Sequence, residues 1–392
     1  MMRLESRGRP PAWVNVAVPV GSILLAMVVA GIVLAITGNS PFTTYHNIVR
    51  ASITQPGALE ETLISMTPLL FTGLAAAVAF RMRVWNIGGE GQLYMGAVGA
   101  AGVGLFLHSL PAPVVVLAMV LGGLIAGSLW AAIPGALRAY LNTNEILTSL
   151  MLNYVALQFM YYLIYDSHSY WRDLTSARAK VFPSGKFLEA SGNWPGITLR
   201  TLVIPVGLCL GVGLAVLLWG MIRSTKYGFE MRVLGDSPRT AQYAGIKTRR
   251  KILSVMMLSG GIAGLAGASQ VGDFNHVLDP RGLQGGNFGY TGIVVAALAR
   301  YNPLAVILTS FFIGAITNAG FALQGPGFPS GLTGTMEGIL LFCVLGAELL
   351  VRYRVRWERR VRTAAPTPSE PVTATPAPVA AGLAAAASEE AP

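Results

Sequence analysis

The chain has 392 residues, 53% of them hydrophobic and only 12% charged, with 28 Lys and Arg against 18 Asp and Glu. A charge fraction about half the globular norm, arranged around repeated apolar runs, excludes an ordinary soluble domain and marks a polytopic membrane protein. The net charge of +10 lies between and beyond those runs and on no nucleic-acid motif, so no nucleic-acid partner is expected.

Residues 1–12 carry Arg3, Arg7 and Arg9 and form the expected cytoplasmic N-terminus. The apolar run 14–36 is too long for a signal peptide and no A-x-A-like site follows it, so a retained first span is expected. Further spans are predicted at 63–80, 93–107, 114–137 and 146–164. The long hydrophilic segment 166–200, with Trp171 and Trp194, separates these from a sixth span at 202–222. Beyond the basic loop 223–251, spans follow at 252–268, 290–298 (short and Gly-marked), 304–322 and 332–351. The reading is therefore an all-α membrane protein of about ten transmembrane helices. A transmembrane domain covers 13–351. The segment 352–392 reads as a cytoplasmic tail, first basic and then Ala/Pro/Thr/Ser/Glu-rich and disordered.

With the N-terminus inside, the inner segments carry 21 of the 28 Lys and Arg residues and the outer ones 7. That bias places both termini in the cytoplasm of a multi-pass cell-membrane protein. Spans 2–5 then begin outside and spans 7–10 inside, which makes the two halves candidate inverted repeats. Each half has a Gly-rich interruption, at 88–91 and at 285–289.

The loop 223–251 holds a compact helix signal. Ser237 suits an N-cap, Pro238 the first helical position and Gly245 a left-handed stop. Ala241 and Ala244, three apart, are expected to share a small face, with Arg239 and Gln242 exposed. The segment reads equally as a docking helix for a partner's groove or as a solvated basic loop that fixes orientation.

No GxxxxGK[ST] pattern occurs, so nucleotide hydrolysis has to come from another polypeptide and no cofactor is expected on this chain. No metal site is expected: the four histidines (46, 108, 168, 276) show no ligand-pair spacing, and Cys209 and Cys343 lie in apolar spans as packing residues. Nothing assembles into a catalytic cluster, so no enzyme is expected. The glycine pairs Gly123/Gly127 and Gly260/Gly264 point to close helix packing. Polar groups within or beside spans are costly in lipid. Asn86, Glu90, Gln92, Asn153, Gln270, Asn275, Asn287, Asn318 and Glu337 read either as a path for a hydrophilic solute or as hydrogen bonds between helices.

Asn86-Ile87-Gly88-Gly89-Glu90-Gly91-Gln92, Asn144-Glu145-Ile146 with Met151-Leu152-Asn153-Tyr154, and the loop pattern Gly228-x₆-Gly235-x₉-Gly245-Ile246 together resemble one group. This is the permease subunits of bacterial ABC importers for branched-chain amino acids, ribose-type sugars and nucleosides. The match covers about 60–350 and is nearest the nucleoside and simple-sugar branch. The resemblance implies a fold similar to the vitamin B12 importer. It also implies a second permease, same or related, cytoplasmic ABC ATPase subunits that use ATP, and an extracytoplasmic solute-binding protein. Under it, 238–244 becomes a coupling helix in an ATPase cleft, and Gly228, Gly235, Ser237, Pro238, Arg239, Ala241, Gln242, Ala244 and Gly245 form the coupling set. Asn86, Glu90, Gln92, Asn153, Asn287 and Asn318 are the expected translocation path. The rival is a secondary, ion-coupled transporter, which needs mid-membrane ionisable residues that this chain largely lacks.

Overall fold

The computed structural model describes residues 2–6, 14–36, 38–199, 202–324 and 331–357. The chain runs β1 Met2–Ser6, α1 Val14–Ile36, α2 Pro41–Val49, α3 Ala58–Arg81, α4 Gly89–Phe106, α5 Ala112–Leu141 and α6 Glu145–Tyr161. It continues as α7 Ala177–Val181, β2 Gly196–Leu199, β3 Leu202–Pro205, α8 Val206–Ser224, α9 Lys226–Asp236 and α10 Pro238–Tyr243. The last elements are α11 Thr248–Ser269, α12 Pro280–Gly286, α13 Phe288–Leu298, α14 Pro303–Ala322, α15 Gly331–Arg352 and β4 Tyr353–Trp357. Each predicted apolar run holds a helix. Among the described residues, six helices are long and apolar enough to cross a membrane. Counting α1 with α2 as one span bent by 120° makes seven. The protein is a multi-pass membrane protein.

The helix starts follow local chemistry. Asn144 caps α6 by accepting from the Ile146 amide at 2.9 Å, and Asn302 caps α14 through Leu304 at 3.2 Å, with Pro303 at the first position. These side chains satisfy amides that a helix leaves unpaired at its start.

In lipid, helices associate by close packing and internal hydrogen bonds more than by water exclusion. The glycine pairs do this here. A Cβ on Gly127 would lie 2.3 Å from the Gly260 carbonyl oxygen, and one on Gly264 2.2 Å from that of Gly123. The two G-x-x-x-G faces thus cross directly, α5 on α11. Gly96 of α4 closes on Gly264 in the same way. Around this centre α11 packs on α3, α4 and α5, while α3 packs on α11, α13 and α14.

The all-helical expectation needs amending at two places. Gly196–Leu199 and Leu202–Pro205 form a two-stranded antiparallel pair, where β-branched residues follow the end of a polar segment. The segment 166–199 is held down as a cap over the helices: Trp171 Nε1 donates to the Val98 carbonyl at 3.0 Å, and the Trp194 amide to that of Gly272 at 3.0 Å. At the ends, β1 pairs antiparallel with β4, Met2 opposite Trp357. The alternating 353–357 stretch read as the start of the tail is therefore a strand. Residues 1 and 7–12 of the expected N-terminal segment, 358–392 of the tail and the Glu337 side chain lie outside the described residues.

Candidate functional site

Two regions carry the chemistry that the sequence singles out. The first joins the two Gly-rich interruptions, which lie about two hundred positions apart in sequence. After α3 the chain turns through Arg83 in a left-handed conformation, runs without regular structure over 84–87 and starts α4 at Gly89. After α11 it forms a π-helical turn, Gln270–Asn275, then α12, and starts α13 at Phe288. The N-termini of α4 and α13 meet. Gly289 is indispensable there, because a Cβ would lie 2.2 Å from the Glu90 amide nitrogen. Glu90 is only 1% exposed. Its Oε1 accepts from the Tyr94 hydroxyl at 2.7 Å and its Oε2 from the Gly289 amide at 2.5 Å, with the Tyr290 amide donating as well. One carboxylate thus meets the positive end of α13 while it sits in the first turn of α4.

Amides build the rest of this knot. Asn86 Nδ2 donates to Gln92 Oε1 at 2.9 Å and Gln92 Nε2 returns a bond to Asn86 Oδ1 at 2.8 Å. Asn86 Nδ2 also reaches Ser259 Oγ at 2.9 Å, and that hydroxyl donates to the Ala75 carbonyl at 2.8 Å. Asn153 on α6 accepts from the Gly91 amide at 2.8 Å and donates to the Ile87 carbonyl and the Tyr290 hydroxyl. The structure thus gathers Asn86, Glu90, Gln92 and Asn153 into one buried, hydrogen-bonded cluster. Asn287 is exposed two residues from it, at the start of α13 in a left-handed conformation. Asn318 stands apart: its Nδ2 donates to the Ala58 carbonyl at 3.1 Å and to Thr62 Oγ1 at 3.0 Å, fixing the start of α3 on α14. Asp273, hidden in a connector by sequence, caps α8 by accepting from the Gly207 amide at 3.0 Å.

The second region is α9–α10. Its three glycines answer to two different needs. A Cβ on Gly228 would lie 2.4 Å from the Ile222 carbonyl oxygen, and one on Gly235 2.8 Å from that of Arg81. Both lie where α9 folds tightly under the ends of α8 and α3. Gly245 has φ +75° and open space around it, a backbone requirement rather than a packing one. Thr225 caps α9 through the Gly228 amide at 3.2 Å, and Ser237 caps α10 through the Thr240 amide at 3.4 Å. The helix stops with the Ile246 amide on the Ala241 carbonyl and the Gly245 amide on that of Gln242, as a left-handed glycine end requires.

One expectation fails here. Ala241 is 0% exposed, turned into its own chain, whereas Ala244 is exposed. The two do not present a common small face, because α10 is too short to keep one face outward and packs through its middle residue. The outward surface is Arg239, Gln242 and, above all, Tyr243, which is 93% exposed. An aromatic left that bare on a six-residue helix is the anchor type that interfaces favour, and the sequence reading missed it. Glu230 ties α9 to α11 through Lys251 at 2.5 Å. The hydrogen bond from Lys251 holds the Glu230 carboxyl below its ordinary value. That brace is present at neutral pH and is lost as pH falls through the lowered value.

A bundle of apolar helices, with two interrupted helices meeting inside it and a capped double-helix loop beneath, defines a membrane-embedded transport subunit. Residues 58–345 match the family described as branched-chain amino acid transport system / permease component, and the chain belongs to that family. It is 30% identical over 368 residues to the glucose ABC transporter permease protein TsgB13 of Haloferax volcanii, covering 90% of this chain and 93% of that one. It is 30% identical over 338 residues to the guanosine ABC transporter permease protein NupP of Bacillus subtilis, covering 84% and 93%. With the nucleoside ABC transporter permease protein NupB of Lactococcus lactis it shares 25% identity over 334 residues, covering 84% and 90%. The chain is a permease subunit of an ABC importer.

Proposed function

We propose that the protein carries an uncharged, sugar-containing solute, a nucleoside or simple sugar, across the cell membrane, driven by ATP hydrolysed on a separate subunit. The observation that carries this is the Glu90 knot. In transporters, the free N-termini of interrupted helices attract anionic groups of the solute. Here the chain's own Glu90 carboxyl occupies that end of α13, so this pole is already filled where a solute carboxylate or phosphate would otherwise sit. The relatives named for glucose, guanosine and nucleosides favour the same class. On this reading Asn287 and the Tyr290 hydroxyl edge the path, Asn86, Glu90, Gln92 and Asn153 hold its wall, and Asn318 braces α14 behind it. Uptake into vesicles holding the assembled transporter should be competed by unlabelled nucleosides or hexoses. Leucine and nucleoside monophosphates should not compete. Competition by leucine alone would overturn the solute class.

The partners on this reading are two cytoplasmic ATPase subunits, a second permease copy or relative, and an extracytoplasmic solute-binding protein. The ATPase would receive the α10 surface of Arg239, Gln242, Tyr243 and Ala244, positioned by Gly228, Gly235, Ser237, Pro238, Ala241 and Gly245. The full span count would be ten, in a vitamin B12 importer-like fold with inverted halves. Packing supports the inverted halves. Exchanging α3 with α11, α4 with α13, α5 with α14 and α6 with α15 turns every packed pair among these helices except α3 with α4 into another packed pair. The β1–β4 pairing supports termini on one side of the membrane, and the charge bias supports the cytoplasmic side. In a cysteine-free background, Glu189→Cys should then react with an impermeant thiol reagent from outside and Arg239→Cys should not. The reverse pattern would invert the topology.

A further inference from the structure

We propose that the face bearing the α9–α10 loop holds a phosphate-binding cavity distinct from the solute path and the docking surface. A cavity of about 660 Å³ lies where α3 and α8 end and α14 begins. Arg81, Arg83, Arg223, Arg232 and Arg300 line it, and among the described residues its lining includes no Asp or Glu. None of Arg81, Arg83, Arg223 or Arg232 pairs with a described carboxylate. Arg81 and Arg232 are near enough to repel one another. Each is held in place by a carbonyl of another lining residue: Arg81 Nη1 donates to the Tyr301 carbonyl at 3.3 Å and Arg232 Nη1 to the Ile222 carbonyl at 2.5 Å. Arg223 lies over the Trp219 ring at 5.3 Å. Guanidiniums held in this way, converging with no Asp or Glu among the described lining residues, are built for a multiply accepting anion, and phosphate matches that fork geometry.

Two further features agree. Asn302 and Pro303, which start the 20-residue helix α14, also line the cavity and add the positive pole of a helix N-terminus. Trp85 and Trp219 rim it, and the site lies at helix ends, the level where lipid headgroups and interfacial tryptophans meet. The shared chemistry is a phosphate group, supplied by an anionic lipid headgroup or by a soluble phosphate compound.

The test uses the purified full-length chain, with Arg83→Gln/Arg223→Gln as the cavity variant. Arg249→Gln/Arg250→Gln removes the same charge from the same face outside the cavity. In the lipid arm, native mass spectrometry follows retention of phosphatidylglycerol against phosphatidylcholine. In the phosphate arm, thermal unfolding in phosphatidylcholine nanodiscs follows stabilisation by inorganic phosphate over chloride at equal ionic strength. The wild type is expected to prefer phosphatidylglycerol by roughly tenfold or more, as a few unscreened basic side chains at a membrane surface provide. The cavity variant should lose that preference and the control variant keep it. Stabilisation by phosphate alone, lost in the cavity variant only, supports the same site with a soluble ligand. Indifference to both probes, or equal loss in both variants, overturns the proposal. Loss of the partner ATPase from the cavity variant, with lipid and phosphate behaviour unchanged, also overturns it and assigns the arginines to a protein surface.

Discussion

Glu90→Leu is expected to leave little or no folded protein. The substitution strips acceptors from the Tyr94 hydroxyl and from the Gly289 and Tyr290 amides, all of them inside the bundle. Each unsatisfied buried group costs about 1–3 kcal/mol, and lipid offers no water to replace the bond. The sum, roughly 3 kcal/mol or more, is a large part of a typical protein's net stability. Glu90→Gln keeps the volume but offers one acceptor oxygen and turns an NH₂ toward donors that already need partners, so an intermediate loss is expected. Size-exclusion profiles and thermal unfolding in detergent would order the variants wild type, Gln, Leu. A Leu variant as stable as wild type would remove the knot from this account. A Gln variant with normal stability but no uptake would move Glu90 from the wall to the route itself.

A comparable loss is expected from Gly264→Leu, for a different reason. Gly264 faces the Gly123 carbonyl oxygen at 2.2 Å from where its Cβ would stand, with the Gly127 backbone at 3.0 Å. Those neighbours are main chain and cannot rotate away, so α5 and α11 have to separate. Overpacking a core costs about 1–3 kcal/mol when side chains can adjust, and here they cannot. Gly213→Leu on α8 is the matched control, since nothing lies within 4 Å of its would-be Cβ. Expression and unfolding temperature should fall sharply for Gly264→Leu and stay near wild type for Gly213→Leu. Equal behaviour would mean that the crossing tolerates separation.

These two variants also mark what was legible in the sequence. The G-x-x-x-G pairs were readable because small residues one turn apart have few other uses in an apolar span. The caps of α10 were readable for the same local reason: Ser237, Pro238 and Gly245 act within a few residues of themselves. What α10 turns outward was not local. Spacing places Ala241 and Ala244 three apart, but only the packing of α9 and α11 decides that Ala241 goes in and Tyr243 stays out. The Glu90–Gly289 bond was invisible for the same reason, since two interrupted helices brought together by the fold share no sequence signal. Asp273 escaped notice because a π-helical turn carries α11 onward through Asn275, into what reads as a Gly/Asn-rich connector.

The central claim is that this chain moves solute only when a separate ATPase works through α10. The most direct measurement is solute uptake into vesicles that contain the permease and its binding protein, with and without the ATPase and ATP, for wild type and Tyr243→Ala. Tyr243 touches little of its own chain, so its loss should change stability by no more than about 0.5 kcal/mol. A buried interface aromatic is worth about 2 kcal/mol or more, so ATPase co-purification and uptake should both fall well over tenfold. Wild-type uptake should require both ATPase and ATP. Uptake without the ATPase, driven by an ion gradient and indifferent to Tyr243→Ala, would contradict the account and return the chain to the ion-coupled class.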